Sequence, residues 1–342
     1  MVGIEELRRP GGHVVQVLAV AACYYAAARL GLIRELSVEG AVVTPLWPAT
    51  GVALTALLIL GLRVWPGIAL GAFFSVLYLT RPDITVLGVL LGNTAAPLCA
   101  ALLLRRAGFR TDISRLRDGL ALVFLAALTA TLISATVGVG LLVAKGSLAA
   151  HGFWPVWLAW WVGDAMGVLI VTPLLLMLHR ARLPLPLGRW KEATALAAVT
   201  CVLVPVAVYS TLSTLFFVYP LIIWAALRFQ LVGGVLCALF TSVVATVAAT
   251  DGAGAFADLN RIEIMVKLQA FNGAMALTAL LLSAVITEQR HTRRSVEQAC
   301  QELVEVLEHL DAGENPPPRQ HTEADDEADD ETDDRPWPTD AP

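Results

Sequence analysis

The chain has 342 residues, of which 57% are hydrophobic and only 15% are charged. Because soluble domains carry about 25% charged residues, this composition excludes an ordinary cytosolic enzyme, whose surface needs more polar groups. The formal net charge of −5 is unevenly distributed, because residues 312–342 hold eleven acids and two arginines, so that the tail carries −9 and the rest of the chain +4.

Apolar runs of membrane-spanning length recur along the chain. A helix needs about 20 apolar residues to cross a bilayer, within a range of about 17–25. Ten runs are candidates: 13–33, 42–62, 64–80, 84–104, 118–144, 154–178, 193–212, 214–230, 231–250 and 264–287. The runs 64–80 and 214–230 are short enough to be re-entrant. The sequence therefore predicts an all-α, polytopic helical membrane bundle with ten transmembrane helices, or with eight.

The distribution of Lys and Arg predicts the orientation, since cytoplasmic loops are enriched in these residues. With the N-terminus inside and the acidic tail set apart, the inner stretches hold sixteen Lys and Arg and the outer stretches hold four. Both termini are therefore expected in the cytoplasm, with residues 1–12 as the N-terminal segment and 13–287 as the membrane domain. Arg8 and Arg9 also leave open a cleaved signal peptide, although the first run stays apolar up to Ile33.

Asp164 lies deep inside a predicted span, near the middle of 154–178. An ionised carboxylate at that depth costs about 2.5–3.5 kcal/mol on insertion scales, so it must face the bundle interior, be protonated or be paired. Gly163 and Gly167 are four residues apart and give the helix a small-residue face that lets a neighbour approach closely. Two interpretations follow: a ligand or proton site at Asp164, or an interhelical hydrogen bond that stabilises the bundle.

The start of the second span predicts irregular backbone. Pro45 and Pro48 are three residues apart and remove two backbone donors, and irregular backbone at membrane depth occurs only beside protein or a water-filled cavity. Trp47, Pro48 and Thr50 are therefore ligand-binding or switch candidates. The alternative is an ordinary helix start with proline in the first turn and Trp47 in the interfacial aromatic belt.

Four further residues complete the candidate set. Trp160 and Trp161 lie deep enough to pack around Asp164, whereas Asn93 and Gln269 are uncharged polar residues within predicted spans. Polar side chains in spans commonly hydrogen-bond across helices, which is the structural alternative for the two amides.

No catalytic or metal-binding motif is present in the sequence. A P-loop, a GxGxxG after a strand, a GxSxG elbow and a Cys/His metal spacing are all missing. The basic loops also lack the interleaved aromatic residues of a nucleic-acid surface. We therefore expect no enzyme activity, no cofactor, no metal and no nucleic-acid partner, with the lipid bilayer as the principal partner.

Residues 288–311 predict a cytoplasmic helix beyond the last span. Its apolar residues are spaced four, three, four and three apart, at Val296, Cys300, Leu303, Leu307 and Leu310. This is the a/d seam of a coiled coil, and it favours a homodimer through residues 296–310; the alternative is an amphipathic helix resting on the bundle or on lipid. The acidic tail, 312–342, has too few apolar residues to fold and is predicted to be disordered.

Two strings carry a resemblance to a known family. Leu46-Trp47-Pro48-Ala49-Thr50-Gly51 and Trp160-Trp161-Val162-Gly163-Asp164-Ala165-Met166-Gly167, with weaker motifs between residues 40 and 290, resemble the membrane-associated sensor (MASE) domain, first type. The resemblance implies a multi-pass sensory module of the bacterial plasma (inner) membrane, usually placed before a histidine kinase or a diguanylate cyclase. The chain departs from the family at Ala95-Ala96-Pro97, where many members carry an acidic residue, and in lacking the usual output domain.

These observations lead to one leading hypothesis. We expect a membrane-embedded sensory module that detects a small ligand, a lipid or a membrane partner around Pro48 and Asp164. Because no output domain follows the last span, the signal is expected to pass to a separate cytoplasmic protein. Two alternatives stay open: a small-solute permease or channel, which also uses broken helices and an intramembrane acid, and a membrane scaffold.

Overall fold

The computed structural model describes residues 10–79, 84–180, 189–210 and 214–311. The first nine residues and the acidic tail, for which the sequence predicts a cytoplasmic segment and disorder, lie outside the described residues. The chain divides into two compact units, Met1–Gln289 and Arg290–Pro342, which are described separately below.

Helices dominate the described residues. The α-helices are α1 Pro10–Gly31, α2 Pro48–Ile59, α3 Trp65–Leu79, α4 Ile84–Arg106, α5 Leu116–Ala121, α6 Leu132–Ala144, α7 Phe153–Met166, α8 Thr172–Arg180, α9 Trp190–Tyr209, α10 Val218–Thr250 and α11 Arg261–Asp311. Two π-helical segments, Leu122–Ala130 and Gly167–Val171, join α5 to α6 and α7 to α8. Short 3-10 turns occur at Leu32–Arg34, Leu62–Val64, Ala150–Gly152, Leu215–Phe217 and Gly254–Phe256.

The predicted all-α membrane bundle is confirmed. Eight helical stretches in the described part of the chain are long and apolar enough to cross a membrane, and Pro48–Ile59 is a shorter apolar helix. The apolar face of each helix packs into shared clusters, one of which joins α1, α2 and α4 to the π-helical segments. A second cluster joins α9 and α10 to α11.

Helix α2 has only 12 residues, and its direction follows from the helices before and after it. A Cβ added at Gly67 would meet Val17 and Val20, and one at Gly71 would meet Tyr24. Helices α1 and α3 therefore run in the same direction, side by side. The helix between them must run in the opposite direction, so the chain returns through α2.

Helix α10 consists of two limbs that fold back on each other at Gln230, whose φ of 54° and ψ of −138° are not helical. A Cβ on Gly233 would lie 2.6 Å from the carbonyl oxygen of Ala225. In a straight helix, eight residues advance by about 12 Å, so this approach requires a sharp turn. The sequence runs 214–230 and 231–250 therefore form two separate limbs of α10 rather than one straight helix.

The first limb of α10 runs the length of α9. At one end Arg228 forms an ion pair with Glu192, in the first turn of α9. At the other end the Thr214 hydroxyl donates to the Ala207 carbonyl oxygen, near the end of α9, at 2.9 Å. The sequence allowed either a span or a re-entrant segment for the short run 214–230. In the structure this run extends along the whole of α9.

A two-stranded hairpin interrupts the helices between α1 and α2. Strand β1 (Leu36–Val38) pairs antiparallel with β2 (Ala41–Val43), and the turn residues Glu39 and Gly40 both have positive φ, 51° and 80°. Two such residues form the type I′ turn that suits a tight hairpin. The prediction that a span begins at residue 42 is wrong in its first residues, because the hairpin and the prolines at 45 and 48 delay the helix to Pro48.

The hairpin is held by apolar packing at one end of the bundle. Val38 and Val43 are buried in a cluster with Val139, Val156 and Met265, so the hairpin covers the ends of α6, α7 and α11. Strand β2 is thereby fixed immediately before residues 44–47, the segment that leads into α2.

The second unit contains the last turns of α11. Within it, Arg293 donates to Glu297 at 2.9 Å, one helical turn away. The apolar side chains of Val296, Leu303 and Leu307 are 57%, 63% and 63% exposed. The helix predicted over 288–311 is present, and its apolar stripe is uncovered.

Candidate functional site

Asp164 is buried inside the bundle, with 2% of its surface exposed. The Thr50 hydroxyl, on α2, donates to one carboxylate oxygen at 2.6 Å, and the Ser134 hydroxyl, on α6, donates to the other. Among the ion pairs that the structure describes, none includes Asp164. The carboxylate is therefore solvated by hydroxyls, and its charge has no basic partner within the described residues.

Glycines bring α2 and α7 close enough for these contacts. A Cβ at Gly163 would collide with the Thr44 carbonyl oxygen, and one at Gly167 would collide with that of Trp47. The Trp47 amide donates to the Gly163 carbonyl oxygen at 3.0 Å, which fixes the segment before α2 on α7. The small-residue face predicted from the spacing of the two glycines is thus occupied by this segment.

The interaction continues one turn along both helices. Gly51 on α2 lies against the Gly167 carbonyl oxygen and Val171, and the Thr172 hydroxyl donates to the Gly51 carbonyl oxygen at 3.3 Å. Because successive residues of α2 contact successive residues of α7 and of the π-helical segment that follows it, α2 runs parallel to α7. This packing holds Thr50 at the level of Asp164.

A cavity of about 80 Å³ lies beside Asp164. Its polar and aromatic lining comes from the segment before α2 and from α3, α4 and α7: Thr44, Trp47, Ser75, Asn93, Trp160 and Asp164. The remaining walls are apolar side chains, among them Val42 and Val43 of strand β2. A cavity of this size accommodates several water molecules, since one water needs roughly 10–15 Å³ of cavity volume.

The helix that carries Asp164 changes geometry three residues later. The π-helical segment Gly167–Val171 begins there, and a second π-helical segment, Leu122–Ala130, lies across from it. π-Helical turns are rare and occur frequently at functional sites. The Trp161 indole donates to the Leu128 carbonyl oxygen at 2.9 Å, so this side chain joins α7 to the π-helical segment Leu122–Ala130.

The MASE1 family model matches residues 16–290, which is most of the chain and contains every element of the site.

The chain belongs to the MASE1 family.

MASE1 is a family of membrane-associated sensory domains, so the protein is a membrane-embedded, multi-pass member of a sensory family. No curated protein matches the chain. No solved structure matches it either.

The MASE1 domain brings together five of the eight residues singled out from the sequence. Asp164, Trp47, Trp160 and Asn93 line the cavity, and Thr50 is bonded to Asp164. Pro48 is the first residue of α2, as in the alternative interpretation, and the irregular backbone is confined to the preceding segment, which lies against Gly163 and Gly167.

The other three sequence candidates lie elsewhere in the MASE1 domain. Trp161 points to the π-helical segment, stacked on Trp157 with 5.5 Å between ring centroids. Pro48 packs against Gly31 and lines a separate apolar pocket of about 440 Å³. Gln269 donates to the Ala159 carbonyl oxygen at 2.8 Å, the interhelical bond that was the alternative for this amide.

Three residues of the site were not identified from the sequence. Ser134 donates to Asp164, and Thr44 and Ser75 line the cavity. Hydroxyl side chains in spans usually bond to a carbonyl of their own helix, as Ser75 does to Gly71 at 2.8 Å. For that reason, a Ser or Thr in an apolar run carries little signal by itself.

A second buried acid was also missed. Asp118 is 2% exposed and accepts a hydrogen bond from the Arg110 amide at 3.1 Å. It begins the run 118–144, so the sequence placed it at a span end. It is not among the residues that line the Asp164 cavity, which makes it a natural comparison for Asp164.

Two cations within spans are engaged away from Asp164. Arg29 lies over the Tyr78 ring at 3.8 Å, and Lys267 donates to the Ala255 carbonyl oxygen. Within the described residues, no group of three or more His, Cys, Asp or Glu side chains forms a metal site.

Proposed function

We propose that this protein is a sensor in which the Asp164 cavity detects a small ligand and the last helix reports the occupancy of the cavity to a cytoplasmic protein. The observation that carries this proposal is a buried acid that accepts hydrogen bonds from two hydroxyl groups, has no basic partner among the described residues and borders a cavity. An isolated carboxylate at membrane depth costs about 2.5–3.5 kcal/mol. A ligand that neutralises or pairs it therefore gains energy that the empty state lacks.

The energy required of such a ligand is modest. Moving a two-state equilibrium from 1:99 to 99:1 takes about 5.5 kcal/mol of differential affinity. A buried charge pair is a sufficient source for a large part of this, because breaking such a pair costs about 3–5 kcal/mol. The hydroxyls of Thr50 and Ser134 belong to two different helices, so a change at the carboxylate acts on three helices at once.

A route from the cavity to α11 is supported by direct contacts. Gln269, on α11, is bonded to Ala159, about one turn before Asp164 on α7. Towards the other end of the same unit, Glu288 accepts a hydrogen bond from the Leu116 amide at 2.9 Å. A movement of α7 relative to its neighbours would therefore act on α11 through the hydrogen bond between Gln269 and Ala159.

The exit helix, residues 288–311, is the proposed output surface. Val296, Leu303 and Leu307 form an exposed apolar stripe at the spacing of a coiled-coil seam. We take its occupant to be a second copy of this chain, joined through residues 296–310, with the cytoplasmic signalling protein reading the paired helices. The excess of Lys and Arg in the inner stretches supports a plasma-membrane orientation with both termini in the cytoplasm.

Site-specific photocrosslinking in intact membranes tests this function. A photoreactive amino acid at Glu302, an exposed position of the exit helix, would be compared in wild-type protein, Asp164→Asn and Asp118→Asn. The proposal expects Asp164→Asn to change the yield or the identity of the crosslinked cytoplasmic protein, and Asp118→Asn to leave both unchanged. Identical products in all three would contradict it.

Vesicle flux separates the sensor from the permease. The protein reconstituted in sealed vesicles is expected to produce no uptake of labelled small solutes beyond that of protein-free vesicles. Uptake that is lost in Asp164→Asn would identify the cavity as part of a transport route and would overturn the sensory proposal. A scaffold, by contrast, would lose its partners when the exit helix is removed and would be indifferent to Asp164→Asn.

A further inference from the structure

Among the described residues that line the Asp164 cavity, one side chain is charged, and that side chain is an acid. The other polar groups, Thr44, Ser75 and Asn93, are neutral, and no Lys or Arg is found among the described residues that line it. Such a lining repels an anion. An apolar molecule would leave the carboxylate without a counter-charge, which is costly in a water-poor site.

Two indole rings complete the wall around the acid. Trp47 and Trp160 both line the cavity, and the position of Trp160 is fixed by Gly138, where an added Cβ would lie 2.9 Å from the ring. The faces of Trp rings attract cations more strongly than those of other aromatic residues, and aromatic walls are the usual means of recognising organic ammonium ions. A cavity lined by one carboxylate and two indoles is therefore complementary to an organic cation.

The size and the opening of the cavity limit the ligand further. A volume of about 80 Å³ corresponds to several water molecules, so it accepts a molecule of a few non-hydrogen atoms. Two lining side chains, Val42 on β2 and Leu79 at the end of α3, are 43% and 45% exposed. These two exposed side chains place one wall of the cavity at the surface of the protein, next to the hairpin.

We infer that the Asp164 cavity binds a small organic ammonium ion, between ammonium and a short alkylamine in size. Its N–H groups would donate to the Asp164 carboxylate and to the neighbouring Asn93 and Thr44 oxygens, while its charge and methyl groups lie against Trp47 and Trp160. This inference rests on the proposed function, because it names the ligand class for the same cavity.

A bare metal ion is a poorer match for this lining. Alkali and alkaline-earth ions require several oxygen ligands arranged around them, whereas the two hydroxyls next to Asp164 already point their hydrogens at the carboxylate. Most of the remaining wall is apolar and would not replace a hydration shell. An alkylammonium ion is a better match, because its carbon atoms need no hydration and can contact the apolar side chains of the wall.

The binding test uses methylammonium chloride and the full-length chain in phosphatidylglycerol nanodiscs, whose headgroups carry no amine. Calorimetric titration is expected to give saturable binding of methylammonium. Sodium chloride, potassium chloride and sodium acetate at equal ionic strength are expected to give none. Binding of sodium or potassium in preference to methylammonium would overturn the assignment, as would binding of acetate.

Two pairs of variants locate the bound cation. Asp164→Asn is expected to lower the affinity for methylammonium by about thirtyfold or more, as is typical when one partner of a buried charge pair is removed. Trp160→Phe is expected to lower it by about two- to tenfold, because Phe is a weaker cation partner. Trp161→Phe and Asp118→Asn alter an indole and an acid outside the cavity lining and are expected to leave it unchanged.

The tryptophan pair keeps the test decisive if Asp164→Asn fails to fold. Equal affinities of Trp160→Phe and Trp161→Phe would overturn the placement of the cation. If methylammonium does not bind, but Asp164→Asn still alters the crosslinking at the exit helix, the ligand class is wrong and the sensory function stands. If methylammonium binds and neither the ligand nor Asp164→Asn alters that crosslinking, the ligand class stands and the sensory function is wrong.

Discussion

Thr50 donates a hydrogen bond of 2.6 Å to Asp164 across 114 residues of sequence. This bond joins the first turn of α2 to the middle of the most buried of the long apolar helical stretches that the structure describes, and Ser134 on α6 provides the second hydroxyl. Hydroxyl donors stabilise a buried carboxylate but do not neutralise it. A positively charged or proton-donating ligand in the adjacent cavity would neutralise the carboxylate. This is the physical basis of the sensory proposal.

Thr50→Val tests the strength of this bond, since it removes one donor with little change of shape. Leaving a buried acceptor without its donor costs about 1–3 kcal/mol, so the variant should unfold at a lower temperature or denaturant concentration in detergent. Thr278→Val is the control, because the exposed Thr278 hydroxyl bonds only to Ala274 of its own helix. Equal destabilisation by the two substitutions would show that the bond to Asp164 contributes nothing specific.

Gly163→Ala tests the close approach of the segment before α2 to α7. The added methyl group would collide with the Thr44 backbone, and overpacking of this kind costs about 1–3 kcal/mol. Gly140→Ala is the matched control, since a Cβ there meets nothing within 4 Å. We expect a lower unfolding temperature for Gly163→Ala alone, measured in the same detergent. An unchanged unfolding temperature for Gly163→Ala would contradict the packing described here.

Gln230→Cys tests the fold-back of α10 and its orientation. In a Cys300→Ser background, a membrane-impermeant maleimide should label Gln230→Cys only after the cytoplasmic side is opened. Ser147→Cys, in the exposed loop between α6 and α7, should be labelled in intact cells. If residues 214–250 formed one uninterrupted crossing, position 230 would be shielded by lipid and would stay unlabelled under both conditions.

Cys300 provides a native probe of the proposed homodimer. It is exposed and occupies a seam position of the heptad pattern, where paired helices come closest. Mild oxidation of membranes should therefore produce a disulfide-linked dimer in high yield. Glu302→Cys combined with Cys300→Ser places the thiol off the seam and should give much less. Comparable yields from the two positions would argue for random collisions.

Hydropathy was sufficient to predict the fold class, because each pass buries apolar residues in lipid or in the bundle over its whole length. The two limbs of α10 were also visible as separate apolar runs, 214–230 and 231–250. The hairpin was not, since strands as short as Leu36–Val38 and Ala41–Val43 leave no periodic pattern, and the turn at Glu39 and Gly40 is only two residues long.

The centre of the site was predictable, but its surroundings were not. Asp164 was identifiable because a charge deep in a span is costly unless it is paired or faces the bundle interior. The spacing of Gly163 and Gly167 predicted a closely packed neighbouring segment. Ser134 carried no comparable signal, because serine is compatible with a helix interior in any span. Asp118 escaped notice because its burial depends on the Arg110 backbone, a tertiary contact that no local pattern encodes.

The measurement that tests the central claim most directly is the mobility of a spin label on Cys300 in the full-length chain in nanodiscs, with the other exposed cysteines replaced by serine. The claim predicts that Asp164→Asn, which imitates a neutralised acid, changes the spectrum from that of the wild-type side chain, whereas Asp118→Asn does not. A folded Asp164→Asn protein with a wild-type spectrum would contradict it, since the acid would then have no influence on the exit helix.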